Sequence, residues 1–156
     1  PPQKFQEQMI TMHRQALNYI VSKDRKNDVL PGCTFCTMRQ TNPIIDIETH
    51  RHFYSDCIHV ERYWTEIRDW ALPNHNANYS IRDRIYGKSD QEPYSIDNTL
   101  LREARSTLWK CRLSKTIPNL TDLKNRLKRQ IPTLLLVHKN KEITLGLKKL
   151  NKMAEN

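Results

Sequence analysis

The chain has 156 residues, 37% of them hydrophobic and 28% charged, which suits one modest core or two small units. The longest apolar run, Leu134 to Val137, is far too short to cross a bilayer, so no membrane partner is expected. The formal net charge of +9 is unevenly placed: residues 1–100 hold 12 Lys/Arg against 13 Asp/Glu, and residues 101–156 hold 14 against 4. The whole excess lies in the last third. Such asymmetry points to a polyanion, most simply RNA or DNA. The plainer alternative is a solvated basic face that keeps the protein soluble.

Only three glycines are present, fewer than the turns of an all-β fold usually need, so a mainly α fold is expected. Phe5, Met9, Met12, Ala16 and Ile20 recur at helical steps and predict a first helix over 4–21. Residues 22–31 are turn-rich and end in Pro31-Gly32. The stretch Thr37 to Asp46 reads as a loop with a turn at Asn42-Pro43. Opening at Pro1-Pro2 without Met, the chain reads as a piece of something longer.

From about residue 56, Cys57, Val60, Trp64, Ile67 and Ala71 step by three and four, an amphipathic stripe that Leu72-Pro73 should end. Residues 73–94 form a polar connection around Ile81–Tyr86. A further helix is predicted over 96–115, capped by Ser95 or Asp97, with Leu100 or Leu101, Ala104, Leu108 and Cys111 on its apolar face. Pro118 should break it. Thr121 should cap the next helix, with Leu120, Leu123, Leu127 and Ile131 on one side and Pro132 as its end. A last helix over 133–152 would use Leu136, Ile143, Leu147 and Leu150, although Gly146 weakens it. The expected organisation is an N-terminal helix with a metal-binding unit over 1–72, a connection over 73–94 and a basic helical region over 95–156.

The chemistry sits at Cys33-Thr34-Phe35-Cys36 and His52-x4-Cys57. Two thiolates two residues apart can grip one tetrahedral ion from a tight turn, and a following His and Cys complete four ligands. This predicts one structural zinc in a small irregular knuckle, held by Cys33, Cys36, His52 and Cys57, with Phe35 shielding the thiolates. Four protein ligands leave no open position for catalysis. The competing readings are an unligated core cluster, a redox pair or disulfides. No βαβ pattern or secretory feature favours the last two. His50 is the alternative to His52, because two residues apart in an extended segment they would point the same way. His59 is expected at the surface, and Cys111 as a buried free thiol.

These residues carry a resemblance. Cys33 to Cys36, then Glu48-Thr49-His50-Arg51-His52-Phe53-Tyr54, Asp56-Cys57, Val60 and Tyr63-Trp64, resemble the zinc-binding region downstream of the polymerase in LINE-type (non-LTR) retrotransposon reverse transcriptases. Ile85-Tyr86-Gly87 and the segment Leu100 to Arg112 are similar to later elements of the same tails, so the likeness spans roughly 30–115. It departs in the long loop between Cys36 and Glu48. The resemblance implies a region that engages template RNA or target DNA during target-primed reverse transcription, beside the polymerase part of the same polyprotein, in nucleus and cytoplasm.

Three functions follow as expectations. A nucleic-acid-binding domain would use Arg105, Trp109, Lys110, Arg112 and Lys115 on one helix and Lys124, Arg126, Lys128 and Arg129 on the next. Trp109 would stack on a base, although part-burial between helices is the plainer reading. Lys124 to Arg129 also reads as a nuclear import signal. A protein-interaction module would instead dock through the zinc unit and the Val60/Trp64/Ile67 stripe. An enzyme is not expected: no paired-acid metal site or phosphate-cradling glycine loop occurs, and His13, His75 and His138 look scattered and solvent-facing.

Overall fold

A computed structural model describes residues 32–39 and 49–156; the expected helix over 4–21 and most of the loop after Cys36 lie outside them. Of the described residues 73% are helical and none forms a strand, which makes the fold mainly α. The elements are α1 (Thr34–Arg39), a π-helical turn (His52–Asp56), α2 (Ile58–Ala71), α3 (Ile81–Tyr86), α4 (Ile96–Ser114), α5 (Leu120–Val137) and α6 (Lys141–Glu155).

The α2 stripe is buried as its spacing predicts: Val60, Tyr63, Trp64, Ile67 and Ala71 all face inward. It belongs to one hydrophobic core that gathers buried residues from Cys33 to Ala154. That burial removes the stripe from any docking surface.

Helix α4 is the hub, in contact with α3, α5 and α6. Leu100, Leu101, Ala104 and Leu108 supply its apolar contacts, and buried polar residues tie it sideways. The Ser95 side chain caps it by accepting from the Asn98 N–H. Asp97, the other capping candidate, turns inward. Its Oδ1 lies 2.6 Å from His75 Nε2 and accepts from the Tyr79 hydroxyl at 2.8 Å, and Gln91 Nε2 donates to its Oδ2 at 2.9 Å. Asn98 clamps the same connection, accepting from the Lys88 N–H and donating to the Lys88 and Glu92 carbonyls, each within 2.9 Å. A polar segment thus gains a fixed path by bonding to the first turn of α4. His75 is therefore half-buried in this network rather than solvent-facing, and His138 lies against the Tyr94 ring, centroids 4.0 Å apart.

Helix α4 spans Ile96–Ser114, as expected over 96–115, but Pro118 is not what ends it, and the helices after it end elsewhere than expected. Lys115 takes the left-handed conformation (φ 52), and the N–H groups of Lys115 and Thr116 return to the carbonyls of Arg112 and Cys111, a Schellman cap. Helix α5 is capped by Asn119, two residues before Thr121, and runs through Pro132 to Val137. Pro132 is exposed, so its ring costs the helix a hydrogen bond without obstructing the buried stripe of Leu123, Leu127 and Ile131. The break falls at His138 to Asn140, and Asn140 caps α6. Leu136 consequently belongs to α5 and is 75% exposed, whereas Leu147 and Leu150 are buried as expected. Gly146 lies in α6 facing Ile96 of α4.

Candidate metal centre and basic cleft

The four expected ligands converge. Their ligand atoms all lie within 4.8 Å of one another. Cys33 Sγ and Cys57 Sγ are 3.8 Å apart, Cys36 Sγ and Cys57 Sγ 3.7 Å, and Cys36 Sγ and His52 Nε2 3.5 Å. A tetrahedral ion with metal–sulfur bonds of about 2.3 Å and a metal–nitrogen bond of about 2.05 Å requires S···S edges of about 3.8 Å and S···N edges of about 3.5 Å. The set can hold one metal ion. The sulfurs are much too far apart for disulfides, whose bond is about 2.05 Å, and all four cysteines are free.

Local folding explains the convergence. Cys33 precedes α1, where Thr37 returns its N–H and hydroxyl to the Cys33 carbonyl, so Cys36 comes round beside Cys33. His52 and Cys57 are five residues apart. In an α-helix, turning about 100° per residue, they would diverge by about 140°. The chain winds as a π-turn instead, and the Cys57 N–H donates to the His52 carbonyl at 2.9 Å. Thr49 starts this turn by accepting from the His52 N–H at 3.0 Å. Trp64 ends it: its indole N–H donates to the Tyr54 carbonyl at 2.8 Å, and its ring is buried.

Because residues 50–56 are helical, not extended, His50 and His52 point apart, and His52 is the member of the cluster. His59 is half-buried in α2 and outside it. Phe35 is fully buried and stacks on Phe53 (6.1 Å, 17°), whose edge meets Trp109 of α4 at 6.0 Å. The aromatic ladder joins the centre to the hub helix.

The Cys33 S–H donates to Cys57, which lowers the Cys57 pKa against the opposing effect of burial, helped by the N–H groups of Val60 and His59 at the start of α2. The same bond pushes the Cys33 thiol up. Cys111 is a buried free thiol, raised by burial.

The basic residues divide among three environments. Arg105 is a correction: it is buried, and its guanidinium donates to the Asp83 and Arg84 carbonyls, both at 3.4 Å, near the end of α3. Burial pulls its pKa down to about 10, so it stays charged as an internal helix cap and presents nothing to a phosphate. Trp109 and Arg112 share a second face, where the guanidinium lies 5.7 Å from the centroid of the half-buried ring. Lys110, Arg126, Lys128 and Arg129 line a cleft of about 700 Å³ between α4 and α5. Arg126 is anchored there by buried Glu103 at 2.6 Å. Lys115 is exposed at the α4 cap and Lys124 half-buried on α5. Asp122 and Asn125, also in the cleft wall, went unnoticed in the sequence, although their one-turn spacing to Arg126 and Arg129 is its signal. So did the exposed lysines of α6, Lys141, Lys148, Lys149 and Lys152.

Among the described residues no helix is long and apolar enough to cross a membrane. Comparison with protein-family models, curated proteins and solved structures finds no match for this chain.

Proposed function

We propose that this chain is a zinc-stabilised nucleic-acid-binding module without catalytic chemistry, of the kind found in the C-terminal region of LINE-type reverse transcriptases. The observation that carries the reading is the segregation of charge. Residues 101–156 carry a net charge of +10 against −1 for residues 1–100, and there the exposed cations Lys128, Arg129, Lys141, Lys148, Lys149 and Lys152 cover a helical hairpin. Cations so gathered neutralise phosphates and release counterions. Zinc is the ion that suits three thiolates and an imidazole at tetrahedral spacing with no open position, a structural rather than a catalytic set. In this reading the metal fixes the first half of the fold and the basic half meets template RNA or target DNA, beside the polymerase of the same polyprotein, in nucleus and cytoplasm.

The test is binding of labelled RNA and DNA to the metal-loaded chain across a salt series. Affinity should fall steeply with salt, and reversing charge at Lys128, Arg129, Lys148 and Lys149 should weaken it at every sequence. Affinity indifferent to both salt and charge would overturn the reading.

A further inference from the structure

We propose that the cleft between α4 and α5 receives a single strand of nucleic acid, one nucleotide unit within it, with phosphates on Lys110 at one wall and on Lys128 and Arg129 at the other. The inference rests on the nucleic-acid reading above and adds the site and the strandedness.

The shape argues first. Residues 107, 110, 111 and 114 of α4 face residues 122, 125, 126 and 129 of α5 across a concave space of about 700 Å³, inside the range of about 300–1,000 Å³ typical of sites for small ligands. A duplex presents its phosphates on a convex surface and is read by elements that protrude into its grooves. A concave slot between two packed helices fits it poorly. A single strand can lay one sugar-phosphate unit into such a slot.

The lining argues next. Lys110, Lys128 and Arg129 are exposed on its rim, while Arg126 is held in its wall by Glu103. Among these cations stands one carboxylate. Asp122 accepts from the Asn119 amide at 3.1 Å, and its N–H donates back to the Asn119 side chain at 2.9 Å, so it is fixed at the start of α5. A continuous phosphate track would be repelled there. A strand that places phosphates on either side and turns sugar hydroxyls or base amino groups toward Asp122 and Asn125 would not be. None of the lining residues is aromatic, so affinity comes from charge and hydrogen bonds rather than the stacking that many single-strand binders use.

The experiment uses the full chain loaded with zinc, with fluorescence anisotropy on a short single-stranded RNA, a single-stranded DNA of the same sequence, the matching duplexes, and heparin as a generic polyanion. K110E/R129E tests the cleft and K148E/K149E the outward face of α6; zinc content and circular dichroism check that both fold. The expected result is single-strand binding weakened roughly tenfold or more by K110E/R129E, with a salt slope shallower by about one per lost contact, and weakened several-fold less by K148E/K149E. Duplex bound as tightly as single strand, loss confined to the α6 variant, or heparin equally sensitive to K110E/R129E would each overturn the inference and leave the nucleic-acid reading standing. No binding to any nucleic acid by the wild-type chain would overturn both.

Discussion

The backbone N–H of Cys57 donates to the carbonyl of His52 at 2.9 Å, so two of the four prospective metal ligands are the two ends of one π-helical hydrogen bond. A π-turn is a costly way to wind a chain and is found mostly at functional positions. Here it turns two side chains toward one point that an α-helix would send apart. The hydrogen bond and the coordination bonds of a metal held there would therefore support each other.

The first prediction concerns that coupling. The purified chain should carry one zinc, and His52→Ala should lose it while His50→Ala keeps it. Because structural zinc binding is itself folding free energy, losing several kcal/mol should lower Tm by on the order of 10 °C in a domain of this size. Metal analysis and thermal melts read both quantities. Retention of zinc by His52→Ala would mean that another side chain supplies the fourth ligand.

A second prediction follows from Asp97. Burial raises its pKa, but hydrogen bonds from His75, Gln91 and Tyr79 outweigh burial and hold it at about 2. Its folded pKa is thus below the unfolded value of about 3.9. Stability from this group is present above pH about 4 and is lost as pH falls toward 2, in total on the order of 2 kcal/mol. Denaturant melts of the native chain and Asp97→Asn should differ by about that amount at neutral pH, and the gap should close below pH about 4. A gap that stays constant with pH would show that the network's value is not electrostatic.

The third prediction separates Arg105 from the surface cations. Its guanidinium caps α3 from inside the fold, so Arg105→Ala should destabilise by about 2–4 kcal/mol through lost packing of a buried side chain and loss of its hydrogen bonds to the Asp83 and Arg84 carbonyls, of which Asp83 keeps the Gly87 N–H. Lys128→Ala should leave stability within about 0.5 kcal/mol. Urea melts of the two variants decide it.

What the sequence made legible was periodic or chemical. The α2 stripe and the ligand set could be read because helical spacing and ligand type are properties of residues themselves. Arg105 could not be read from its charge, yet its position warned of burial: it lies four after Leu101 and three before Leu108, both fully buried. A long cation on an apolar stripe faces inward when a helix end offers it carbonyls, and that helix end is a tertiary fact. The four-residue gap to Cys57 favours His52 over His50, and His52 is the member of the cluster, but the winding that makes it so was not legible. The outcome depended on whether residues 50–56 were extended or wound, and the π-turn that decides it is stabilised by Thr49 and by Trp64 from the next helix. Asp97 looked like a helix cap because the partners that draw it inward, His75 and Tyr79, come from a segment with no pattern of its own.

Pro132 gives the last prediction, because there tertiary packing overrides a local rule. Helix α5 continues through it to Val137, although proline in a helix interior costs about 3 kcal/mol relative to alanine. The stripe of Leu123, Leu127 and Ile131 is fully buried before the proline, and Leu134 and Leu135 pack against the core after it. Unwinding the last turn would expose both half-buried leucines, and since fully burying a leucine is worth about 1.5–3 kcal/mol, their partial burial together recovers an amount comparable to the proline's cost. The packing offsets the proline. Since the ring is exposed, replacing it removes a cost and opens no cavity: Pro132→Ala should stabilise by about 1–3 kcal/mol. Gly146→Ala in α6 should add about 0.5–1 kcal/mol, because a Cβ there would meet Ile96 at 3.7 Å, ordinary van der Waals contact. Urea melts of the two variants measure this, and a Pro132→Ala protein no more stable than its parent would mean that the helix does not continue through residue 132.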